Sequence, residues 1–451
     1  MKSLSARDSG YTPHPGTADM RVISTKFLPL LLLFASLLLF RSRSFAEATE
    51  IDLLTVHKVI ALPFAILFAG GYLVLRGPPR RWPAALSFLA VYICVGIIST
   101  GLTSRSPYSL WKLSELVMVL VVGLYVLRMS RSRPEFASEA YELWLKFLGV
   151  LVVAALVGAL MFPGDALKAP LTEESLELYG KPILPIQLFG VLLTVNPNSL
   201  GAMAAILLVV AMARFRDSCS GTRRVWRMLW IGALVAVLVL AQSRTAWMGL
   251  GAALVAGIWL ARRASRAAKA LALASLAASA TYASAYIYAY MTRGVSTEQL
   301  SNLSGRAAWW SAAFQAFLDA DFLGKTFGLG FMVANRTILS TQFGSDAGSL
   351  HSDYVDALVS TGVVGTIALI IAACAFALSV RNASPYQRAE LAGIVCILGV
   401  RSFTGTTFAI HNHFLPALVL IPVLTEAMQK ARTRVRAASL PDSFPVPRAQ
   451  V

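Results

Sequence analysis

GSLHSDYVDALVSTGVVGTIALIIAACAFALSV, residues 348–380, is the stretch whose reading decides the fold. From Asp353 onward it is apolar over 28 residues, long enough to span a hydrocarbon core of about 30 Å at roughly 1.5 Å of helical rise per residue. A histidine and two aspartates stand at its opening, in a chain with only five histidines. The apolar run predicts a membrane helix, and the titratable cluster predicts chemistry at its mouth.

Working outward, the same pattern recurs. The chain has 451 residues, 57% of them hydrophobic and 14% charged, more apolar surface than one soluble core hides. Apolar spans fall near 22–40, 53–75, 84–101, 113–127, 139–162, 187–212, 228–242, 245–260, 270–291, 353–380, 389–408 and 414–428. The sequence therefore predicts an all-α, polytopic integral membrane protein with about 12 transmembrane helices, a single membrane domain over 21–436, and disordered tails at 1–20 and 437–451. An AEA at 46–48 imitates a signal-peptidase site, but RSRS at 41–44 sits badly before it, so the first span is expected to be retained.

Basic residues crowd alternate turns, at 76–81, 128–133, 214–227, 262–269, 381–388 and after 429. The positive-inside rule then puts both termini in the cytoplasm, and the +17 charge reflects topology and anionic lipid rather than nucleic acid. Of the four cysteines, Cys94, Cys374 and Cys396 fall in spans and Cys219 in an inside turn, which predicts no disulfide. Every outer loop reads as short except 292–352. Within it, GRAAWWSAAFQAFLD at 305–319 places Trp310, Phe314, Phe317 and Leu318 on one helical side, suited to the bilayer surface or to a lid over a cavity.

Three outer-face motifs carry the candidate chemistry: AQSRTAWMG at 241–249, LSGRAAWW at 303–310 and SLHSDY at 349–354. Arg244 lies in a turn too tight to carry it far into water, where it either snorkels to headgroups or binds an anion. Arg306 opens the loop helix, as a solvated charge or as a second guanidinium for a diphosphate. His351 either caps its helix or accepts a proton from a hydroxyl; Asp353 and Asp356 would orient the imidazole or cap, with capping the expected role of Asp353. Arg401, inside its span, is expected to face a cavity or else to meet a structural partner such as a carbonyl. His411, Asn412 and His413 form HNH in the last outer turn, without the third ligand that zinc would need, which leaves sugar binding or interfacial placement. His57, Lys58, Arg105 and Lys112 would extend an anion-binding surface or snorkel, and EESLE at 173–177 contacts glycan or solvent.

Taken together, SRT after one span, SGR before tryptophan in a long loop, FGLGF at 327–331, a histidine opening a helix that continues through TGVVG, and NPNSLG at 196–201 resemble the O-antigen ligase and O-antigen polymerase superfamily, over roughly 190–410. The resemblance implies an inner-membrane glycosyltransferase with its site facing the periplasm and neither metal nor cofactor. Its donor would be a glycan on undecaprenyl diphosphate, and its acceptor a hydroxyl of lipid A core (ligase) or of another lipid-linked glycan (polymerase, including exopolysaccharide types). Arg244 and Arg306 would hold the diphosphate, and His351 would act on the acceptor hydroxyl. Ser352 stands where the family commonly has asparagine. The competing class is a transporter, against which stand the absence of paired intramembrane carboxylates and of internal repeats.

Overall fold

The computed structural model describes residues 25–40, 53–103, 106–168, 177–178, 181–182, 184, 186–215, 221–260, 265–284, 287, 306–343 and 349–438. Both chain ends beyond these limits, most of EESLE, Arg105, Cys219 and Ser304–Gly305 lie outside the described residues. The rest is nearly all helical. The helices are α1 (Leu28–Ser36), α2 (Leu53–Arg76), α3 (Ala84–Thr103), α4 (Pro107–Ser132), α5 (Glu135–Met161), α6 (Pro197–Ala213), α7 (Gly221–Ala241), α8 (Arg244–Leu260), α9 (Arg266–Tyr282), α10 (Arg306–Asp319), α11 (Phe322–Phe327), α12 (Val333–Phe343), α13 (Asp353–Ser379), α14 (Pro385–Thr404) and α15 (Leu415–Ala438).

Among the described residues, six helices are long and apolar enough to cross a membrane: the bulk of α2, α3, α4, α5, α7 and α13. Little of α7 and α2 is buried inside the protein, so apolar side chains such as Leu75 and Trp226 face outward, as lipid-facing surface does. Buried layers form where α14 packs on α8 and α6, where α13 packs on α3, and where α15 packs on α4 and α5. The α8–α14 approach is close: a Cβ on Gly249 would lie 2.9 Å from the Ile397 Cα, a small-residue contact of the kind membrane helices use.

Three expectations need correction. The span expected at 187–212 begins as a helix only at Pro197, whose preset φ suits the first helical turn and whose neighbour Asn196 caps it, accepting from Ser199 N–H at 2.7 Å. Residues 187–188 instead pair antiparallel with 167–168. The connection from α5 to α6 is therefore a second long one rather than a short loop. α15 runs to Ala438, two residues into the tail expected from 437.

α13 is broken at Gly362, with φ 63° and ψ −165°, a conformation open essentially to glycine alone. The break leaves helix carbonyls without their usual donors, and the FGLGF turn fills the gap. Leu329 N–H donates to Val359 O at 2.8 Å; Ser99 Oγ donates to Ser360 O at 2.7 Å and accepts from Gly330 N–H at 3.1 Å. Gly328, with φ 93°, lies so near that a Cβ would be 2.4 Å from the Ser360 carbonyl carbon. Two glycine-containing motifs distant in sequence are thus one joint, tying the loop helices α10–α12 to the bundle.

Candidate functional site

The start of α13 is held from several directions. Asp356, fully buried, accepts from Leu350 N–H at 2.8 Å and from Asn335 Nδ2 of α12 at 2.7 Å. Trp310 Nε1 donates to Leu350 O at 2.8 Å. With both polar groups of Leu350 fixed, the next residue, His351, takes φ 57°, an unusual value for a side chain with a Cβ. Its imidazole stacks on Trp309, centroids 5.8 Å apart and planes at 21°. Burial first, then the nearby Arg306 and Arg401 guanidiniums, push the imidazole down to about 4, so it is neutral at ordinary pH.

Arg306 reaches this point from the first residue of α10. Its Nη1 donates to Thr404 O at the end of α14, at 2.8 Å. The Thr404 side chain meets Thr245 of α8, Oγ1 to Oγ1 2.8 Å. Arg306 is lowered from the ordinary guanidinium value, mainly by burial and then by Arg244. Arg244, Arg306 and His351 are thereby brought near one another around Thr404. Like charges held close in a partly buried site favour an anion between them.

Arg401, one turn below Thr404, is engaged inside the bundle. It donates to Asn198 O at 3.2 Å and to Ser199 Oγ at 3.0 Å, and lies 4.6 Å from the Phe414 ring centroid. It braces α14 against the opening of α6 and adds positive potential beneath His351. Asp353 does not cap its own helix: the N-cap is Ser352, without a side-chain cap bond. The Asp353 carboxylate instead accepts from the N–H groups of Thr407, Phe408 and Ala409 at 2.9, 2.9 and 3.0 Å. The extended turn after α14 points three successive amides at one buried carboxylate, which local helix capping could not match. Neither aspartate touches the imidazole; both fix the backbone around it.

HNH serves the same turn. Asn412 donates to Thr407 O and Ile410 O and accepts from Phe414 and Leu415 N–H. His411 Nε2 is 2.9 Å from Ser36 Oγ, and His413 stacks near Phe147 with centroids 6.1 Å apart. The three residues hold α15 to α1 and α5 rather than joining the His351 mouth. Among the described residues, no three His, Cys, Asp or Glu side chains are arranged as a metal site. His57 is 3.1 Å from Leu38 O, and Lys112 pairs with buried Glu115 at 2.8 Å; neither is drawn to the mouth. On α10 the expected apolar side divides: Phe314 and Leu318 are exposed, Phe317 is half-buried, and Trp310 turns inward together with Trp309.

Sequence reasoning missed Thr404, Trp309 and Asn335. Of these only Trp309, in the WW pair, carried a visible signal. Removing the Asp353 carboxylate tests the backbone role: Asp353→Ala leaves three buried donors unmet and is expected to destabilise the protein by roughly 1–3 kcal/mol or more, with Asp353→Asn in between. Thermal unfolding in detergent reads the difference; an unchanged melting point in Asp353→Ala would contradict the role.

A comparison with curated proteins finds no match. Residues 228–370, narrower than the 190–410 of the motif resemblance but including Arg244, Arg306 and His351, match the family model described as O-antigen ligase.

Proposed function

We propose that this membrane protein transfers a glycan from undecaprenyl diphosphate to an acceptor hydroxyl on the periplasmic face, as an O-antigen ligase does. The observation that carries the reading is the convergence of Arg306, Arg244 and His351 around Thr404, inside the segment that matches the O-antigen ligase model. The acceptor oxygen attacks the anomeric carbon, the bond from that carbon to the phosphate oxygen breaks, and the diphosphate leaves with the electron pair. Arg244 and Arg306 stabilise the charge that develops there. His351, held neutral, accepts the hydroxyl hydrogen bond and takes the proton as attack proceeds, with inversion at the anomeric carbon. Trp309 keeps the ring in its plane, and Phe314 and Leu318 suit contact with lipid beside the mouth. Donor, acceptor, orientation in the inner membrane and independence of metal all belong to this proposal.

Surface polysaccharide from a deletion strain tests it, run on a gel beside strains restored with the wild type or with His351→Ala. Long chains retained on undecaprenyl diphosphate and missing from lipid A are the expected result. A surface carrying single repeats would assign the same site to polymerisation. An unchanged profile would overturn the glycan reading.

A further inference from the structure

At the end of the bundle opposite His351, a cavity of about 740 Å3 opens between the turn after α2 and the last turns of α4 and α15. Its lining includes five cations, Arg80, Arg81, Arg131, Lys430 and Arg434, against one carboxylate, Glu426. That carboxylate is already shared: Arg131 Nη2 donates to it at 3.3 Å, and Lys430 pairs with it one turn along α15. Arg131 also donates to the Arg81 carbonyl, yet its Nε–H is buried with no partner among the described residues. The positive-inside tendency explains why such residues lie at this end. It does not explain why three elements as far apart in sequence as Arg80 and Arg434 aim them into one cavity, where unscreened like charges repel. Lys430 and Arg434, at i and i+4, disfavour each other even within their own helix.

The surroundings point to lipid. Val74 and Leu75, just before the end of α2, are 83% and 85% exposed, and Trp82 at the start of α3 is 36% exposed with its Nε1 on Pro79 O. Apolar flanks, an interfacial tryptophan and a basic cavity between helix ends are the chemistry that receives an acidic headgroup while its acyl chains lie along the helices. We propose that this cavity binds the phosphate of an anionic phospholipid in the leaflet away from the His351 mouth. Bound there, the phosphate neutralises the excess cations and ties α4 and α15 to the α2–α3 turn. Those same two helices begin at the other end beside the turn that Asp353 and Asn412 hold, so the lipid supports the site's frame without entering it. A soluble phosphate would meet the same cations, and only the acyl chains distinguish the two sources.

The test uses the full chain in phosphatidylcholine nanodiscs, with thermal unfolding followed as phosphatidylglycerol is increased and with inorganic pyrophosphate in a parallel arm. The wild type is expected to gain several degrees with phosphatidylglycerol, and Arg80→Gln/Arg81→Gln/Arg434→Gln to need roughly 100-fold more of it for the same gain, from the attraction of about three basic residues to acidic lipid. Glu426→Gln, which removes the competing carboxylate, is expected to respond at lower phosphatidylglycerol and keeps the test alive where the triple variant fails to fold. Equal stabilisation by pyrophosphate alone would overturn the lipid assignment in favour of a soluble anion. Equal responses of wild type and both variants, or none, would overturn the site.

Discussion

His351→Ala is expected to reduce glycan transfer by about 10²–10⁴-fold, the usual worth of a positioned proton acceptor, while membrane insertion and melting temperature stay close to wild type. The separation is expected because the imidazole makes a ring contact with Trp309, whereas the backbone around it is secured through Leu350 by Asp356 and Trp310. Arg306→Ala removes charge stabilisation at the leaving group and the hydrogen bond to Thr404, and Arg306→Lys returns only the charge. Transfer assayed with purified protein and lipid-linked donor reads all three. Undiminished transfer by His351→Ala would remove the imidazole from the mechanism.

The pH profile gives the same proposal a second readout. In the free protein the imidazole is pushed down to about 4, by burial and then by Arg306 and Arg401. A bound diphosphate cancels part of the arginine contribution, which raises the imidazole in the complex. The acid limb of kcat is therefore expected at higher pH than that of kcat/KM, the former reporting the complex and the latter the free enzyme. Coincident limbs would argue against the diphosphate lying between the arginines and the ring.

Gly362→Ala is expected to give the largest loss of folded protein of any single substitution considered. Its φ of 63° with ψ −165° costs a residue with a Cβ roughly 1–3 kcal/mol. The new atom would also stand 2.4 Å from Thr326 O and 2.7 Å from Gly328 N, adding about 1–3 kcal/mol for overpacking against backbone. Backbone on both sides leaves no flexible side chain to give way. Gly399→Ala, in α14 with open space around it, is the matched control and is expected to be neutral. The monodisperse fraction after detergent extraction and the melting temperature both check this; similar behaviour of the two variants would contradict the joint.

Much of the fold was legible because lipid imposes a simple rule, that backbone polar groups must be satisfied within each segment, and apolar runs record it. The misreading at 187–196 comes from the same signal, since IQLFGVLLTV is as apolar as a span, and only NPN marks where the helix starts. Arg244, Arg306 and His351 stood out as candidates because each lies beside an apolar wall within a short motif. Their supports did not. The amides that Asp353 accepts, the carbonyl that Arg306 seeks and the Asn335 side chain that meets Asp356 lie between 21 and 98 residues away, and no local spacing encodes such pairs. For Arg401 a cavity and a carbonyl partner were both open from sequence, and the partners at Asn198 and Ser199 lie 202–203 residues upstream, where no local spacing could name them.

The long reach of those supports sets the order in which a growing chain acquires competence. Arg306 waits for Thr404, 98 residues later, and Asp353 for amides up to 56 residues later. At a synthesis rate of about 5–20 residues per second, several seconds pass in which both arginines and the histidine have been made but Arg306 still lacks the Thr404 carbonyl. On the proposed function, a nascent chain is expected to stay inactive until α14 and the turn beyond it have been inserted, and a stop codon shortly before residue 404 would leave most of the membrane helices without the carbonyl and amides that Arg306 and Asp353 engage.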